Sequence, residues 1–599
     1  MRYLGILRLL NKDVKSITPI TSSFATYQSD KWDYATEKKS FRLTCPKHFN
    51  FARDVIDKWA HTEKFGRSGG NPALWWVNDK GRELKWSFQE VSHQSKLVAN
   101  VLLGPCRLHP TDIVIVMLPR VPQWWAINVA AIRAGVILSP GTTLLRPGDI
   151  KYRVNASGAK CLITNADCAD SVDEVAADCP SLETKVIVGE EGKRSQSEVR
   201  QSPIYLKGHS QRPGWLNYEE LTRRSTDNIQ CINSLSTDPM TVFFTSGTTG
   251  SPKMTEHTHS SYGLGHIITA KYFLNLSRKS ILWNLSDTGW AKCAWSSLFA
   301  PWIAGATVFV QDAPKFDPIR TLQTLASNPI THFCTPPTAV RFMIKEKLHN
   351  YKFPALFHCV SAGEPVNPEM LKEWTEGTGL NLYEGYGQTE TTFVCGSYPS
   401  IEQRPGSMGK AAPGYDVEIV DDEGTVLPRG QEGNIGIRCK PVWPVGLFTR
   451  YIDDEARMQS VLRGDYYLTG DKATMDDEGY VWFMGRNDDV ILTSGYRIGP
   501  FEVESALIEH PAVLESAVVS SPDKLRGEVV KAFVILTEAF RNADTEALTF
   551  ELQEHTKRVT APYKYPRKIE FVDSLPKTVS GKIRRVELRN KEWRREKPN

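Results

Sequence analysis

Residues 245–253 read TSGTTGSPK and follow directly on a run of apolar, strand-forming residues. Glycines let backbone N–H groups converge on an anion, the hydroxyl groups donate hydrogen bonds, and the lysine adds a positive charge. The spacing excludes a Walker A loop, because Ser251 and Pro252 separate Gly250 from Lys253, where the lysine must follow the glycine directly. The stretch therefore predicts a phosphate-binding loop of another kind, with a flexible Ser/Thr/Gly linker as the alternative.

The composition is that of an ordinary globular protein. The chain has 599 residues, of which 41% are hydrophobic and 24% charged, and this length allows several domains. A net charge of +4 without a basic block indicates no nucleic-acid partner. The 11 cysteines form no C-x-x-C pair, which is typical of a reducing compartment. No stretch is apolar enough to span a bilayer, and Ser296–Val310, interrupted by proline and glycine, is interpreted as buried core.

The first 29 residues differ from the rest of the chain. A helix here would place apolar side chains along one stripe and basic side chains opposite, and Asp13 is the only acid up to Ser29. This basic, acid-poor and amphipathic pattern is typical of a mitochondrial transit peptide. We therefore expect residues 1–29 to be a targeting segment and the protein to reside in the mitochondrial matrix. A helical or disordered surface extension is the alternative.

The pattern of apolar runs predicts an α/β fold. Strands alternating with helices between about residues 236 and 390 favour a mostly parallel, helix-covered sheet, and residues 50–165 repeat that rhythm. Asn367-Pro368-Glu369 has the composition of a helix start. From Tyr415 onward, short alternating strands predict an antiparallel subdomain, and an α+β segment follows Gly485. The predicted strands include Ile281–Trp283, Ala306–Val310, Ile330–Cys334 and Leu356–Val360.

Further motifs carry a resemblance to a known family. TSGTTGSPK resembles the signature loop of the adenylate-forming enzymes, which include acyl-CoA synthetases, luciferases and peptide-synthetase adenylation domains. The other family motifs follow in the expected order at Tyr383–Glu390, Leu468–Asp471, Gly485–Asp489, Ser494–Ile498 and Leu575–Lys582. The stretches at 283–290, 493–500, 526–533 and 560–571 are similar to the mitochondrial medium-chain acyl-CoA synthetases.

This resemblance implies a reaction and a domain organisation. The subfamily converts a small monocarboxylic acid, ATP and coenzyme A to acyl-CoA, AMP and pyrophosphate through an acyl-adenylate. A large N-terminal adenylation domain, with helix-covered sheets and an antiparallel subdomain, would span residues 40–486. A small mobile α+β domain would span residues 488–599 and pivot at Asp488 between the two half-reactions.

The resemblance also implies roles for individual residues at the nucleotide. Tyr386 would pack against adenine, Asp471 would accept the ribose hydroxyls, and Glu390 would help to hold Mg²⁺. Thr389 would contact the α-phosphate or the substrate carboxylate, and Lys582 would reach the same groups during adenylation. The residues expected to be catalytic are Lys582, Thr389 and Glu390. Those expected to bind ATP are Thr245, Ser246, Gly247, Thr248, Thr249, Gly250, Ser251, Pro252, Lys253, Glu384, Gly385, Tyr386, Gly387, Gln388, Thr389, Asp471, Arg486 and Lys582.

Coenzyme A and the acid would contact other residues. Cationic side chains suit coenzyme A, because it carries a phosphorylated nucleotide. Leu144 departs from the family pattern, since relatives often have glutamine at this position beside coenzyme A. Trp290 would line the acyl pocket, with plain core packing as its alternative, and Arg497 would lie near the carboxylate together with Thr389. The residues expected to bind coenzyme A are Leu144, Ser494, Gly495, Tyr496, Arg526, Lys557, Tyr565, Pro566 and Arg567.

Two other functions remain open at this stage. An adenylate-forming enzyme with a different acceptor would keep the nucleotide motifs without needing the basic residues matched to coenzyme A. A catalytically inactive nucleotide-binding protein would not need Lys582, Glu390 or Asp471. The chain has both the basic residues matched to coenzyme A and the residues Lys582, Glu390 and Asp471, which favours the ligase. The sequence predicts no oligomeric state.

Overall fold

The computed structural model describes residues 32–66, 70–189, 212–245, 252–313, 315–487, 489–493, 496–523, 526–560, 562–578 and 582–595. The predicted targeting segment, residues 1–29, lies outside these ranges. The strands up to the end of the first large sheet are β1 Leu74–Asn78, β2 Glu83–Trp86, β3 Ile113–Met117, β4 Ile137–Pro140, β5 Cys161–Asn165, β6 Thr184–Val188, β7 Leu216–Asn217, β8 Pro239–Thr245, β9 Lys253–Thr258, β10 Ile281–Asn284, β11 Thr307–Asp312, β12 His332–Thr335, β13 His358–Ala362, β14 Leu382–Gln388, β15 Thr392–Gly396 and β16 Lys410–Ala411.

The remaining strands build the antiparallel subdomain and the C-terminal region. They are β17 Val417–Val420, β18 Gly433–Arg438, β19 Arg450–Tyr451, β20 Leu462–Arg463, β21 Tyr466–Met475, β22 Val481–Arg486, β23 Ile491–Thr493, β24 Tyr496–Ile498, β25 Val513–Asp523, β26 Gly527–Leu536 and β27 Lys568–Phe571.

The α-helices are, in chain order, α1 Tyr34–Ser40, α2 Lys58–Lys64, α3 Phe88–Leu103, α4 Pro122–Ala134, α5 Pro147–Ser157, α6 Ala166–Ala176, α7 Tyr218–Arg224, α8 His266–Ile268, α9 Ala291–Ala294, α10 Ala300–Ile303, α11 Pro318–Ser327, α12 Pro337–Met343, α13 Pro368–Thr378, α14 Glu455–Ser460, α15 Pro500–Ile508, α16 Thr545–Val559 and α17 Arg585–Arg595. Turns of π-helix occur at Ala52–Asp57, His259–Leu264, Thr269–Phe273 and Trp295–Phe299, and 3₁₀ turns at Leu348–Asn350, Glu538–Phe540 and Pro562–Lys564.

Two large sheets form the N-terminal part of the molecule. One has nine strands in the order β16-β15-β14-β13-β12-β10-β11-β1-β2, and the other has eight in the order β19-β9-β8-β4-β3-β5-β6-β7. The first is parallel from β14 to β1 and antiparallel at both edges. The second is parallel except where β9 and β19 are added at one edge. The predicted α/β class is confirmed.

Helices cover both faces of these sheets. Every residue of α4 is buried, and this helix belongs to the core cluster that joins the facing sides of the two sheets. On the nine-stranded sheet, Leu282 faces that shared core, whereas its neighbour Trp283 faces a second core with α11, α12 and α13. The outer face of the eight-stranded sheet packs on α5 and α6. The alternation of side chains along each strand therefore produces alternating layers of helix and sheet.

The later sheets are smaller. In the antiparallel subdomain β17, β18, β21 and β20 are hydrogen-bonded in that order and β22 pairs with β21, as the alternating pattern after Tyr415 predicts. The C-terminal sheet has the order β24-β23-β26-β25, with β27 beside β26, and it buries its own apolar core with α15 and α16. Phe501 at the start of α15 packs edge-on against Phe483 of β22, with ring centroids 6.3 Å apart.

Most predicted elements lie where the sequence places them, with shifts at some starts. β12 and β13 begin at His332 and His358 rather than at Ile330 and Leu356. Both apolar residues are buried before the strand begins, so their hydrophobicity reflects burial and not strand pairing. The predicted helix start is confirmed, since the Asn367 side chain accepts a hydrogen bond from the Glu369 N–H at 2.8 Å.

Two compositional expectations also hold. All eleven cysteines are free, and nine of them are buried. Ser296–Val310 contributes buried residues to the shared core, and among the described residues no helix is both long and apolar enough to cross a membrane.

Candidate functional site

The signature loop connects two antiparallel strands. Thr245, the last residue of β8, is the register partner of Lys253, the first residue of β9. A Walker loop instead opens a helix, so the hairpin agrees with the exclusion based on spacing. The Pro252 carbonyl accepts a hydrogen bond from the Tyr152 hydroxyl at 2.8 Å, which anchors the end of the loop. Residues 246–251 lie outside the described ranges.

Lys253 lies among charged side chains from later motifs. Burial lowers its pKa, Arg457 and Arg486 lower it further, and Glu390 opposes them. Its ammonium group lies 5.7 Å from the centre of the Tyr451 ring, which belongs to the strand beside β9. The hairpin therefore brings the loop lysine close to the residues expected to hold the nucleotide and Mg²⁺.

Asp471 is the centre of the second part of the site. The residue is 3% exposed, and its two carboxylate oxygens have different partners. Oδ1 accepts from Arg486 at 2.9 Å, while Oδ2 accepts from the Tyr386 hydroxyl at 2.6 Å and from the Gln388 amide at 2.7 Å. The carboxylate raises the pKa of Arg486, and burial together with Asp471 raises the pKa of Tyr386. Four residues predicted to bind ATP thus form one hydrogen-bonded cluster.

The local fold brings these four residues together. Asp471 and Arg486 are register partners on β21 and β22. Tyr386 and Gln388 lie at the end of β14, where the pairing with β15 shifts between Tyr386 and Gly387. A β-bulge of this kind redirects the side chains that follow it. The cluster therefore joins the carboxyl end of a parallel strand to the antiparallel subdomain.

The glycines of this segment are required by close packing. A Cβ on Gly385 would lie 2.4 Å from the Phe273 ring, and a Cβ on Gly387 would lie 1.8 Å from the Thr392 carbonyl oxygen.

Glu384 is 5% exposed, and its carboxylate accepts from the Val366 N–H at 3.1 Å. Its side chain is thus turned into the protein, and burial raises its pKa to about 8. A nucleotide contact at this position would come from its main chain.

Thr389 and Glu390 are held by residues that the motifs do not include. The Thr389 carbonyl lies 2.7 Å from Nε2 of His257, so that nitrogen donates, and Nδ1 accepts from the Ser261 hydroxyl at 2.9 Å. Burial lowers the pKa of His257 to about 4, which keeps the ring neutral. The Tyr451 hydroxyl donates to Glu390 Oε1 at 2.9 Å. Sequence reasoning missed His257 and Tyr451, because both act through contacts between distant segments.

Glu390 is the residue that the motifs assign to a metal ion. Among the described residues there is no group of three or more His, Cys, Asp or Glu side chains that could hold one. Magnesium is commonly bound by one or two carboxylates together with phosphate and water oxygens. The donor set therefore fits a Mg²⁺ ion that arrives with ATP and does not fit a site built from protein ligands alone.

Lys582 lies in the second arm of a C-terminal hairpin, opposite Thr578. The Thr578 N–H donates to the Lys582 carbonyl at 2.7 Å, and the Lys582 N–H donates to the Thr578 hydroxyl at 3.1 Å. Its side chain is exposed, as expected of a group that must reach a substrate. Its charge also acts on Lys292 of the N-terminal domain: burial lowers the pKa of Lys292 and Lys582 lowers it further.

Lys292 is a second cation that the sequence reasoning missed. It follows Trp290 by two residues, in α9, and its ammonium group donates to the Ala362 carbonyl at the end of β13, at 2.7 Å. Trp290 itself is partly buried and caps α9. The preceding Gly289 lies so close to residues 141–142 that a Cβ would be 2.1 Å from the Thr142 N–H. These contacts place Trp290 near the segment that carries Leu144, which is 60% exposed.

Three residues predicted to bind coenzyme A form a cationic cluster. The ammonium group of Lys557 lies 4.2 Å, and the guanidinium of Arg567 4.9 Å, from the centre of the Tyr565 ring. Arg567 also donates to the Tyr565 hydroxyl at 2.7 Å. The Pro566 carbonyl accepts from Gln553 at 3.0 Å. Arg526 is exposed at the start of β26.

The remaining residues predicted to contact coenzyme A or the acid, and the predicted pivot, lie between residues 488 and 497. Ser494, Gly495 and the expected pivot Asp488 lie outside the described residues. Tyr496 and Arg497 belong to β24, where they pair with Thr493 and Leu492 of β23.

Comparisons with known proteins agree with this geometry. A family model described as "AMP-binding enzyme" matches residues 62–444, and one described as "AMP-binding enzyme C-terminal domain" matches residues 502–582. Acyl-coenzyme A synthetase ACSM3, mitochondrial, of Homo sapiens is 51% identical over 590 residues, which cover 98% of this chain and 96% of that protein. Acyl-coenzyme A synthetase ACSM5, mitochondrial, of Homo sapiens is 51% identical over 552 residues, 92% of each chain.

Solved structures show the same fold. The anthranilate CoA ligase AuaEII, in complex with anthranoyl-AMP, matches with a TM-score of 0.80 at 28% identity, over 92% of this chain and 98% of that one. A benzoate CoA ligase from Burkholderia xenovorans LB400 matches with a TM-score of 0.74 at 25% identity, over 90% of this chain and 100% of that one.

Proposed function

This chain belongs to the AMP-binding enzyme family and, within it, to the acyl-coenzyme A synthetases, and from that premise we propose its reaction and the roles of its residues. It is an ATP-dependent ligase that joins a medium-chain or similar small carboxylic acid to coenzyme A through an acyl-adenylate, releasing AMP and pyrophosphate. The observation that carries the proposal is the buried Asp471 cluster, in which Tyr386, Gln388 and Arg486 converge on one carboxylate.

In the first half-reaction a carboxylate oxygen of the acid attacks the α-phosphorus of ATP, and the bond from that phosphorus to the bridging oxygen of pyrophosphate breaks. Two anions must approach each other, so the barrier is mainly electrostatic and positional. Lys253 and its hairpin would hold the phosphates that leave, and Lys582 would neutralise charge at the α-phosphate. A Mg²⁺ ion held by Glu390 would supply positive charge on the pyrophosphate side.

The supporting contacts give each nucleotide residue a defined task. Asp471 would accept the ribose hydroxyls, and Arg486 keeps that carboxylate paired before ATP arrives. Tyr386 would pack against the adenine. Thr389 would orient the reacting groups, and His257 fixes its backbone by donating to its carbonyl.

In the second half-reaction the thiol of coenzyme A attacks the acyl carbon, and AMP leaves as the acyl–phosphate bond breaks. Lys582 must first withdraw, so the domain spanning residues 488–599 would rotate about Asp488 against the domain spanning residues 40–486. The Lys557–Tyr565–Arg567 cluster presents two cations on one aromatic ring and suits the phosphorylated end of coenzyme A. Trp290 and Arg497 would contact the acid.

The named relatives are mitochondrial, which supports the same location for this chain. We propose the matrix as the compartment and residues 1–29 as the leader. Import into isolated mitochondria that is unaffected by removing these residues would contradict the leader assignment.

The roles are tested by separating the two half-reactions of a Lys582→Ala variant. We expect acyl-adenylate formation, measured as pyrophosphate release, to fall on the order of 10²–10³-fold, the usual cost of losing one preorganised charge donor. Thioester formation from supplied acyl-AMP should be nearly unchanged. Lys591→Ala, an exposed lysine on the following helix, is the matched control and should behave as wild type. Equal losses in both half-reactions of Lys582→Ala would refute its assigned role.

A further inference from the structure

A carboxylate of the C-terminal domain lies between cations from both domains. Glu515, on β25, is 3.7 Å from the Arg341 guanidinium through Oε1 and 2.8 Å from the Lys577 ammonium group through Oε2. Arg341 belongs to α12 of the N-terminal domain, and Lys577 belongs to the same domain as Glu515. The Glu515 side chain is 14% exposed and that of Arg341 22%, so solvent screens this contact only in part.

A further cation of the N-terminal domain lies near the same carboxylate. Burial lowers the pKa of Lys345 and Arg341 lowers it further, while Glu515 acts in the opposite direction. The Glu515 carboxylate therefore faces two cations of the N-terminal domain, Arg341 and Lys345, of which Lys345 is also near Glu373. Without this negative charge, the two cations would face Lys577 across the domain boundary and repel it.

Lys577 connects this contact to the reacting centre. It forms an isolated antiparallel bridge with Ile583, and the adjacent Thr578 bonds to Lys582 through its backbone. The hairpin closed by these bonds carries Lys582 in its second arm, opposite Thr578. One Glu515 oxygen thus contacts Lys577 at the base of the hairpin, and the other contacts Arg341 of the N-terminal domain.

We propose that Glu515 is a positioning residue for adenylation, which fixes the C-terminal domain through Arg341 and aims the Lys582 hairpin through Lys577. This inference rests on the proposed function, because it assigns Lys582 to the first half-reaction. The Arg341 contact crosses the boundary between domains and must break when the C-terminal domain rotates. It therefore stabilises the arrangement seen in this structure, in which the charge of Lys582 acts on Lys292 of the N-terminal domain.

The test compares Glu515→Gln and Arg341→Gln in the two half-reactions. Glutamine has the shape of glutamate, and in place of arginine it keeps part of the aliphatic stem without the charge. Arg341 lies in the other domain, so one local folding defect would not explain a loss in both variants. We expect ATP–pyrophosphate exchange to fall about three- to tenfold in each, the range expected of a partly buried ion pair. Thioester formation from supplied acyl-AMP should stay at the wild-type rate or rise. The double variant should fall no further than Glu515→Gln alone.

The matched control is Glu538→Gln, which removes an exposed ion pair with Arg541 inside the C-terminal domain and should change neither half-reaction. Equal losses in both half-reactions, unchanged exchange, or additive losses in the double variant would each overturn the role of Glu515. Absence of exchange in the wild-type protein would instead contradict the proposed function, so the two failures are distinguishable.

Discussion

Asp471 illustrates how a single buried carboxylate can organise a nucleotide site before ATP is bound. Its partners come from β14 and β22, and each bond fixes a side chain that is expected to touch the nucleotide. Charge-assisted hydrogen bonds of this kind are about twice as strong as neutral ones. Ribose hydroxyls would then meet a carboxylate that is already oriented, and little ordering cost would remain for ATP binding.

Glu384 provides a prediction about pH. Burial raises its pKa from 4.5 to about 8, so between these values the folded protein holds a proton that the unfolded chain releases. The free energy of unfolding should therefore decrease as pH rises through this window. Glu384→Gln cannot ionise, and its stability relative to wild type should increase with pH across this window, by at most about 5 kcal/mol in total.

Thermal unfolding of both proteins between pH 5 and 9 measures this difference. The exposed Glu376→Gln, on the neighbouring α13, is the control for removing a carboxyl group from the surface. A difference between Glu384→Gln and wild type that is flat across the range would show that Glu384 is ionised in the folded protein.

Among individual residues, the sequence predicts those that belong to an ordered motif. Lys582, Asp471 and Arg486 were predicted in this way. His257, Tyr451 and Lys292 were not, because each acts on a carbonyl or carboxylate that is distant in sequence. Such a partner becomes visible only when the strands are paired.

At the scale of elements, β14 and its bulge determine the direction of the side chains of the Tyr383–Glu390 motif. The shift in pairing at Tyr386 and Gly387 is possible because Gly387 has no Cβ to meet the Thr392 carbonyl. The prediction of alternating strands and helices was confirmed, because short β-branched and aromatic runs differ from helical segments in length and composition. The starts of β12 and β13 were placed too early, because buried apolar residues precede each strand.

Gly387→Ala tests the importance of this bulge. The added Cβ must move the β14–β15 pair apart, so we expect a loss of stability of about 1–3 kcal/mol and at least a tenfold fall in ATP–pyrophosphate exchange. Denaturant unfolding and the exchange assay measure these effects. Gly148→Ala in α5 is the control, because no heavy atom lies within 4 Å of the added Cβ, and its stability should be unchanged or slightly higher. Wild-type stability and exchange in Gly387→Ala would contradict the packing argument.

At the scale of the molecule, the proposed site combines residues of two domains. The phosphate hairpin, Asp471 and Glu390 belong to the N-terminal part, whereas Lys582 and the Lys557–Tyr565–Arg567 cluster belong to the C-terminal part. The order of motifs in the sequence predicts this division. Contacts between the domains, such as Arg341–Glu515, belong to no sequence motif. They need only side chains of opposite charge at facing positions, and the sequence does not show which positions face each other.

The central claim is that one site first makes an acyl-adenylate and then a thioester. The most direct test is exchange of labelled pyrophosphate into ATP by the purified full chain with Mg²⁺, without coenzyme A, across medium-chain, aromatic and long-chain acids. We predict exchange that requires an acid and is strongest with medium-chain acids, followed by acyl-CoA and AMP when coenzyme A is added. Absence of exchange with every acid would contradict the account, as would an adenylate that coenzyme A does not consume.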